Sequence, residues 1–157
     1  MISLTYDRLS QLSVGLGVDL AVFFTAEGQR FEAGSFAVAR GGDFERQETQ
    51  NYVYEMLFPD LWNKAMTPMM GSLKARELVD FEDFVRHPGQ EFLIVMEGEV
   101  TVFVEGRDPV HLAAGDSIYF DSSVGHLYAS GGDRDARILV VCVPGPEGGF
   151  VSSGGRV

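Results

Sequence analysis

The 157-residue chain has a single cysteine, Cys142. One thiol excludes an internal disulfide framework and suits a reducing compartment, so a cytoplasmic location is expected. Long apolar runs are missing too: none approaches the length needed to span a bilayer. The first residues lack the basic start and apolar run of a secretory signal. Cations are scarce, with 12 Lys and Arg against 23 Asp and Glu and a formal charge of −11. That balance argues against a phosphate-binding surface, because affinity for nucleic acid is mostly cation-driven. Histidine is sparse, at three residues, which makes the position of each informative.

What is present is short apolar runs and glycine. The length fits one domain able to bury a core without staples. From about residue 86 onward, "FLIVM", "EVTVFVE", "PVHLA", "SIYFD", "HLYAS" and "RILVVCV" alternate with "EG", "EGRD", "AAGD", "SSVG" and "SGGDRDA". Strand-forming runs at this spacing, with turn residues between them and no room for crossover helices, predict an antiparallel all-β barrel or sandwich. Upstream, "NYVYEMLF" reads as a strand. "AMTPMMGSLKAREL" reads as an irregular strand pair, since Pro68 and Gly71 break a helix. Residues 25–50 read as a linker with one short strand near "SFAVAR". Residues 1–24 read as two short helices, with Ser3 as a cap, Leu9, Leu12 and Leu16 on one face, and Gly17 as a stop. The barrel is expected over residues 51–145, with a flexible tail over 146–157.

The segment "HPGQE", residues 87–91, carries the clearest chemistry. His87 and Glu91 share strand parity, but four residues of straight strand rise roughly 13 Å. Ligands of one divalent ion sit about 2.0–2.2 Å from it. Pro88 pushes His87 to extended geometry, and Gly89 can adopt the backbone of a bulge or tight turn. The Pro-Gly pair can thus fold the two side chains together. His126, at a strand start after a small-residue turn, offers a third ligand. Two histidines and a carboxylate make a facial triad with open metal positions. The alternative is neutral, hydrogen-bonded histidines at strand ends, with Glu91 needing a partner if buried. Tyr52, Tyr54, Tyr119 and Tyr128 are candidates to line a barrel mouth and hydrogen-bond a ligand; the alternative is ordinary sheet packing. Gln90 points opposite Glu91, His111 reads as surface and Cys142 as a small core residue. Trp62 is expected to cover a barrel end or a dimer contact. Met56, Met66, Met69 and Met70 read as a soft core cluster.

"HPGQEFLIVMEGEVTVFVEG" followed by "LAAGDSIYFDSSVGHLYAS" resembles the two motifs of the cupin family. His87, Glu91 and Gly98 match the second histidine, the glutamate and the glycine of H-x-H-x(3,4)-E-x(6)-G. Val85 stands where the first histidine falls. Gly115 and His126 match G-x(5)-P-x-G-x(2)-H-x(3)-N, while Asp121, Ser123 and Ser130 depart from it. Residues 2–24, "ISLTYDRLSQLSVGLGVDLAVFF", are similar to the last two helices of the DNA-binding domain in XRE-type helix-turn-helix/cupin regulators. The resemblance implies a cupin barrel that senses a small molecule, such as an organic acid, or a metal. DNA would be contacted only through a domain this chain mostly lacks. A cupin enzyme of similar two-domain design, an iron-dependent epoxidase of hydroxypropylphosphonic acid, spaces its ligands H-x(3)-E…H. The resemblance therefore also allows a metal-dependent oxygenase, epoxidase or isomerase. Either reading allows a divalent metal, Fe, Zn, Mn or Ni, on His87, Glu91 and His126. Without a metal, the same three residues are expected to line the pocket and hold a ligand or water by hydrogen bonds. A homodimer is expected, and no membrane partner.

Overall fold

The structure is a computed structural model that describes residues 28–74, 76–77 and 83–145. Residues 1–24, where two helices were expected, and the tail 146–157 lie outside the described residues. The described elements are all strands: β1 Gln29–Arg30, β2 Phe44–Glu48, β3 Tyr52–Leu57, β4 Leu61–Trp62, β5 Thr67–Leu73 and β6 Gly89–Glu97 come first. Then follow β7 Glu99–Val104, β8 Val110–Ala113, β9 Ser117–Asp121, β10 His126–Ser130 and β11 Ala136–Pro144. No helix among the described residues is long and apolar enough to cross a membrane.

Six strands form one sheet in the order β2-β3-β5-β11-β6-β9, and three form a second in the order β10-β7-β8. Every pair within these sheets is antiparallel. The expected antiparallel architecture therefore holds, with β1 and β4 as a two-residue parallel exception. Alternation sets the inner face: Glu91, Leu93 and Val95 on β6, Met69 and Leu73 on β5, and Ile138, Val140 and Cys142 on β11 are buried. The second sheet closes over them with Val100 and Val102, and all of β10 is buried. Period-two patterning on β5, β6 and β11 gives the large sheet one inner face for the second sheet to cover.

Three expectations change. The strand near residues 35–40 is absent. That stretch has no ladder, Phe36 is 87% exposed, and the strand of this region is instead β2, hydrogen-bonded to β3 in the large sheet. "SFAVAR" alternates like a strand, but the ladder needs a neighbouring edge, and a turn closed by Arg40 and Asp43 intervenes. Among the described residues of 65–78 there is one strand, β5, rather than a pair. Pro68 is tolerated within it one residue beyond the ladder to β3, which ends at Met56 and Met69. Of the four methionines, Met56 and Met69 are core, whereas Met66 is exposed. Trp62 pins the start of the described chain, its indole N–H donating to the Gly28 carbonyl at 2.9 Å with the Arg30 guanidinium over its ring.

Candidate metal centre

Gly89 opens β6 with φ +120°, a conformation that strongly favours glycine. The backbone there runs against the chain around residue 122: the Ser122 N–H donates to the Gly89 carbonyl and the His87 N–H to the Ser122 carbonyl, both at 3.0 Å. Val85 bridges His126 in the same way through paired backbone bonds. These ties bring the start of the first motif beside the end of the second, so that His87, Glu91 and His126 converge. All three are buried, Glu91 being only 3% exposed.

The Glu91 carboxylate is the hub. Its Oε1 accepts a hydrogen bond from the Tyr128 hydroxyl. Its Oε2 lies 2.9 Å from His87 Nε2, 3.5 Å from His126 Nε2 and 3.4 Å from Cys142 Sγ. The His126 Nδ1–H donates to the Val124 carbonyl at 2.8 Å, a contact in which a carbonyl can only accept. The Nδ1 proton is thereby fixed, and a neutral imidazole would turn an Nε2 lone pair toward a carboxylate oxygen. A proton on Nε2 or a metal ion between the two would relieve that repulsion. Burial would push the Glu91 carboxyl up. Hydrogen bonds from His126 and His87, the charge of His126 and the Tyr128 hydroxyl outweigh it and hold the group down at about 2. Tyr128 responds in the opposite sense: burial first, then the Glu91 charge and hydrogen bond, hold its hydroxyl protonated well above the ordinary tyrosine value. Tyr128 is therefore a fixed donor.

A small cavity, open to solvent at its mouth, leads onto this cluster. Tyr52, Tyr54 and Tyr128 line it, and so does Val85, which occupies wall that a histidine would have taken. The Tyr52 hydroxyl is turned to the barrel wall and donates to the Tyr128 carbonyl at 2.9 Å. Tyr119 does not belong to the cavity. It is 65% exposed, and its hydroxyl donates to Gln90 on the outer face. The reason is parity: in "SIYFD" the inward positions go to Ile118 and Phe120, and Phe120 packs edge-on against the His126 ring. Gln90 faces away from Glu91, as strand alternation predicts, and His111 is an exposed residue whose Nδ1 lies 3.0 Å from Thr101 Oγ1.

The residue that sequence reasoning missed is Cys142. It is buried, as a core residue should be, but it also lines the cavity and stands opposite Glu91 in the β6–β11 register. Donor atoms of His87, Glu91 and Cys142 all lie within 4.8 Å of one another, and His126 Nε2 lies 3.5 Å from the same carboxylate oxygen.

The fold and the site define a cupin-type barrel, and residues 80–142 match the family model for the cupin domain. Among solved structures, FeII HppE superposes with a TM-score of 0.61 at 21% identity, over 88% of this chain and 76% of its own. The hydroxypropylphosphonic acid epoxidase from S. wedmorenis gives a TM-score of 0.62 at 20% identity, over 88% of this chain and 75% of its own. The same epoxidase in complex with fosfomycin gives 0.61 at 22%, with the same coverage. Likeness at this identity is a likeness of fold. Among curated proteins there is no match.

Proposed function

We propose that the protein is a metal-binding, small-molecule-sensing cupin, with a divalent ion held by His87, Glu91 and His126 at the floor of the cavity. The observation that carries this reading is the Glu91 Oε2, approached by His87 Nε2 at 2.9 Å and by His126 Nε2 at 3.5 Å. Donors bound to one ion at about 2.0–2.2 Å and at angles between 90° and the tetrahedral value lie roughly 2.8–3.6 Å apart. Both distances from Oε2 fall in that range; the set whose donor atoms all lie within 4.8 Å of one another is His87, Glu91 and Cys142, and His126 joins it through Oε2. Fe, Zn, Mn or Ni suits the imidazole and carboxylate donors. When bound, such an ion supplies a Lewis-acidic centre for an anionic group. The chain's own residues orient that centre. Val124 fixes the His126 tautomer, Tyr128 anchors Glu91, and Phe120 packs edge-on against His126. An organic acid suits the cavity as effector, because it can complete the coordination that three protein ligands leave open.

In this reading the barrel is the effector domain of a bacterial transcriptional regulator of the XRE type. DNA contact then belongs to a helix-turn-helix domain, whose last two helices residues 1–24 resemble. The chain assembles as a homodimer.

A second reading is favoured by the likeness to structures of an epoxidase that include FeII and CoII forms and a complex with fosfomycin. It is a metal-dependent oxygenase, epoxidase or isomerase using the same three ligands. Metal analysis of the purified chain, followed by oxygen uptake and product analysis of the iron-loaded protein with a panel of small organic and phosphonic acids, tests both. Stoichiometric metal with acid binding and no turnover is expected. Turnover selects the enzyme, and a chain that takes up no metal in the wild-type form removes both.

A further inference from the structure

Cys142 lies 51 residues from Glu91 in sequence, yet faces it directly. The two are register partners across β6 and β11, and both side chains point into the barrel. The thiol sulfur is 3.4 Å from Glu91 Oε2, the oxygen that His87 and His126 also approach. A thiolate bound at about 2.3 Å and a carboxylate oxygen at about 2.0 Å on one ion are separated by roughly 3.1–3.5 Å. The observed separation fits that geometry as well as the imidazole distances do.

Charge points the same way. When no anionic effector is bound, a dication held by one carboxylate and two neutral imidazoles leaves a net positive charge in a buried site, which is costly. Among the described residues lining the cavity, Glu91 is the only carboxylate, and Cys142 carries a thiol ordinarily more acidic than the tyrosine hydroxyls beside it, so a divalent ion deprotonates it more readily.

We propose that Cys142 is a fourth protein ligand, its thiolate joining His87, Glu91 and His126 on one divalent ion. The inference rests on the metal reading above and deepens it. Coordination exchanges the S–H bond for a metal–sulfur bond and releases the proton to solvent. The donor set becomes N₂OS, which favours zinc, cobalt or iron over magnesium or manganese. It also makes the buried centre electrically neutral.

The test loads the chelated full chain with CoII and records its absorption spectrum. Wild type should show visible ligand-field bands, which report bound cobalt, together with a near-ultraviolet thiolate-to-cobalt charge-transfer band. Cys142→Ser should keep the ligand-field bands and lose the charge-transfer band. Cobalt bound without that band in wild type, or a band that persists in Cys142→Ser, overturns the fourth ligand and leaves the three-residue centre standing. No bound cobalt in wild type overturns both. Should Cys142→Ser fail to fold, zinc-edge X-ray absorption of the wild-type protein decides. A sulfur neighbour at about 2.3 Å supports the proposal, and a shell of nitrogen and oxygen alone overturns it.

Discussion

His87 Nε2 and Glu91 Oε2 lie 2.9 Å apart although the two residues are separated by three others in extended chain. Gly89 makes this approach possible. At φ +120° a side chain there would be strained, and a Cβ would meet the Val143 carbonyl oxygen at 1.9 Å. Gly89→Ala is therefore expected to destabilise by more than about 3 kcal/mol, since backbone rather than a flexible side chain must yield. Gly106 has positive φ but open space around it, so Gly106→Ala should cost only about 1 kcal/mol. Urea denaturation of the two variants checks this; equal losses would contradict it.

The metal reading predicts a thermodynamic linkage. An ion at 100 times its Kd stabilises the folded state by about 2.7 kcal/mol. For a domain of this size that is roughly 5–10 °C in melting temperature. Wild type should gain such a shift with added zinc. Glu91→Ala and His126→Ala should lose it, and equal shifts in all three proteins would argue against ligation by these residues.

Tyr128 donates its buried hydroxyl to Glu91 Oε1. Tyr128→Phe leaves a charged acceptor buried without that donor, at an expected cost of about 1–3 kcal/mol. Tyr119→Phe removes a hydroxyl at an exposed outer position and should change stability by less than about 0.5 kcal/mol. Chemical denaturation of both variants distinguishes the inner tyrosine from the outer one.

Glu91 also sets a pH dependence in the chelated protein. Its folded pKa, about 2, lies below its ordinary value of 4.5. The carboxylate's contribution is therefore complete above about pH 4.5 and is lost as pH falls toward 2. The amount at stake is on the order of 3 kcal/mol. The stability curve of wild type should drop through that window. Glu91→Gln, with nothing to protonate there, should be flatter. Parallel curves would assign the acid sensitivity to other groups.

The large sheet ends in β2 on one side and β9 on the other, and open edges of this kind are commonly covered by a second copy. A homodimer mass is expected by light scattering at micromolar protein, and a monomer mass would count against the assembly.

The sequence by itself determined the strands of the C-terminal half and the parity of the first motif. Both are local properties: apolar alternation has a period of two residues, and Pro88-Gly89 lies within the segment it bends. The outward position of Tyr119 was legible in the same way, from the apolar residues on either side of it. Cys142 was not, and neither was the contact of Tyr128 with Glu91. Each depends on which strand lies beside or across from which, and in what register. The β6–β11 pairing joins residues about fifty positions apart, so no local pattern in "ILVVCV" distinguishes a cysteine filling the core from one facing a carboxylate. The misplaced strand near residue 37 has the same cause. Alternation makes a strand admissible, but a ladder forms only where the folded chain presents a partner edge, and that edge was offered to residues 44–48.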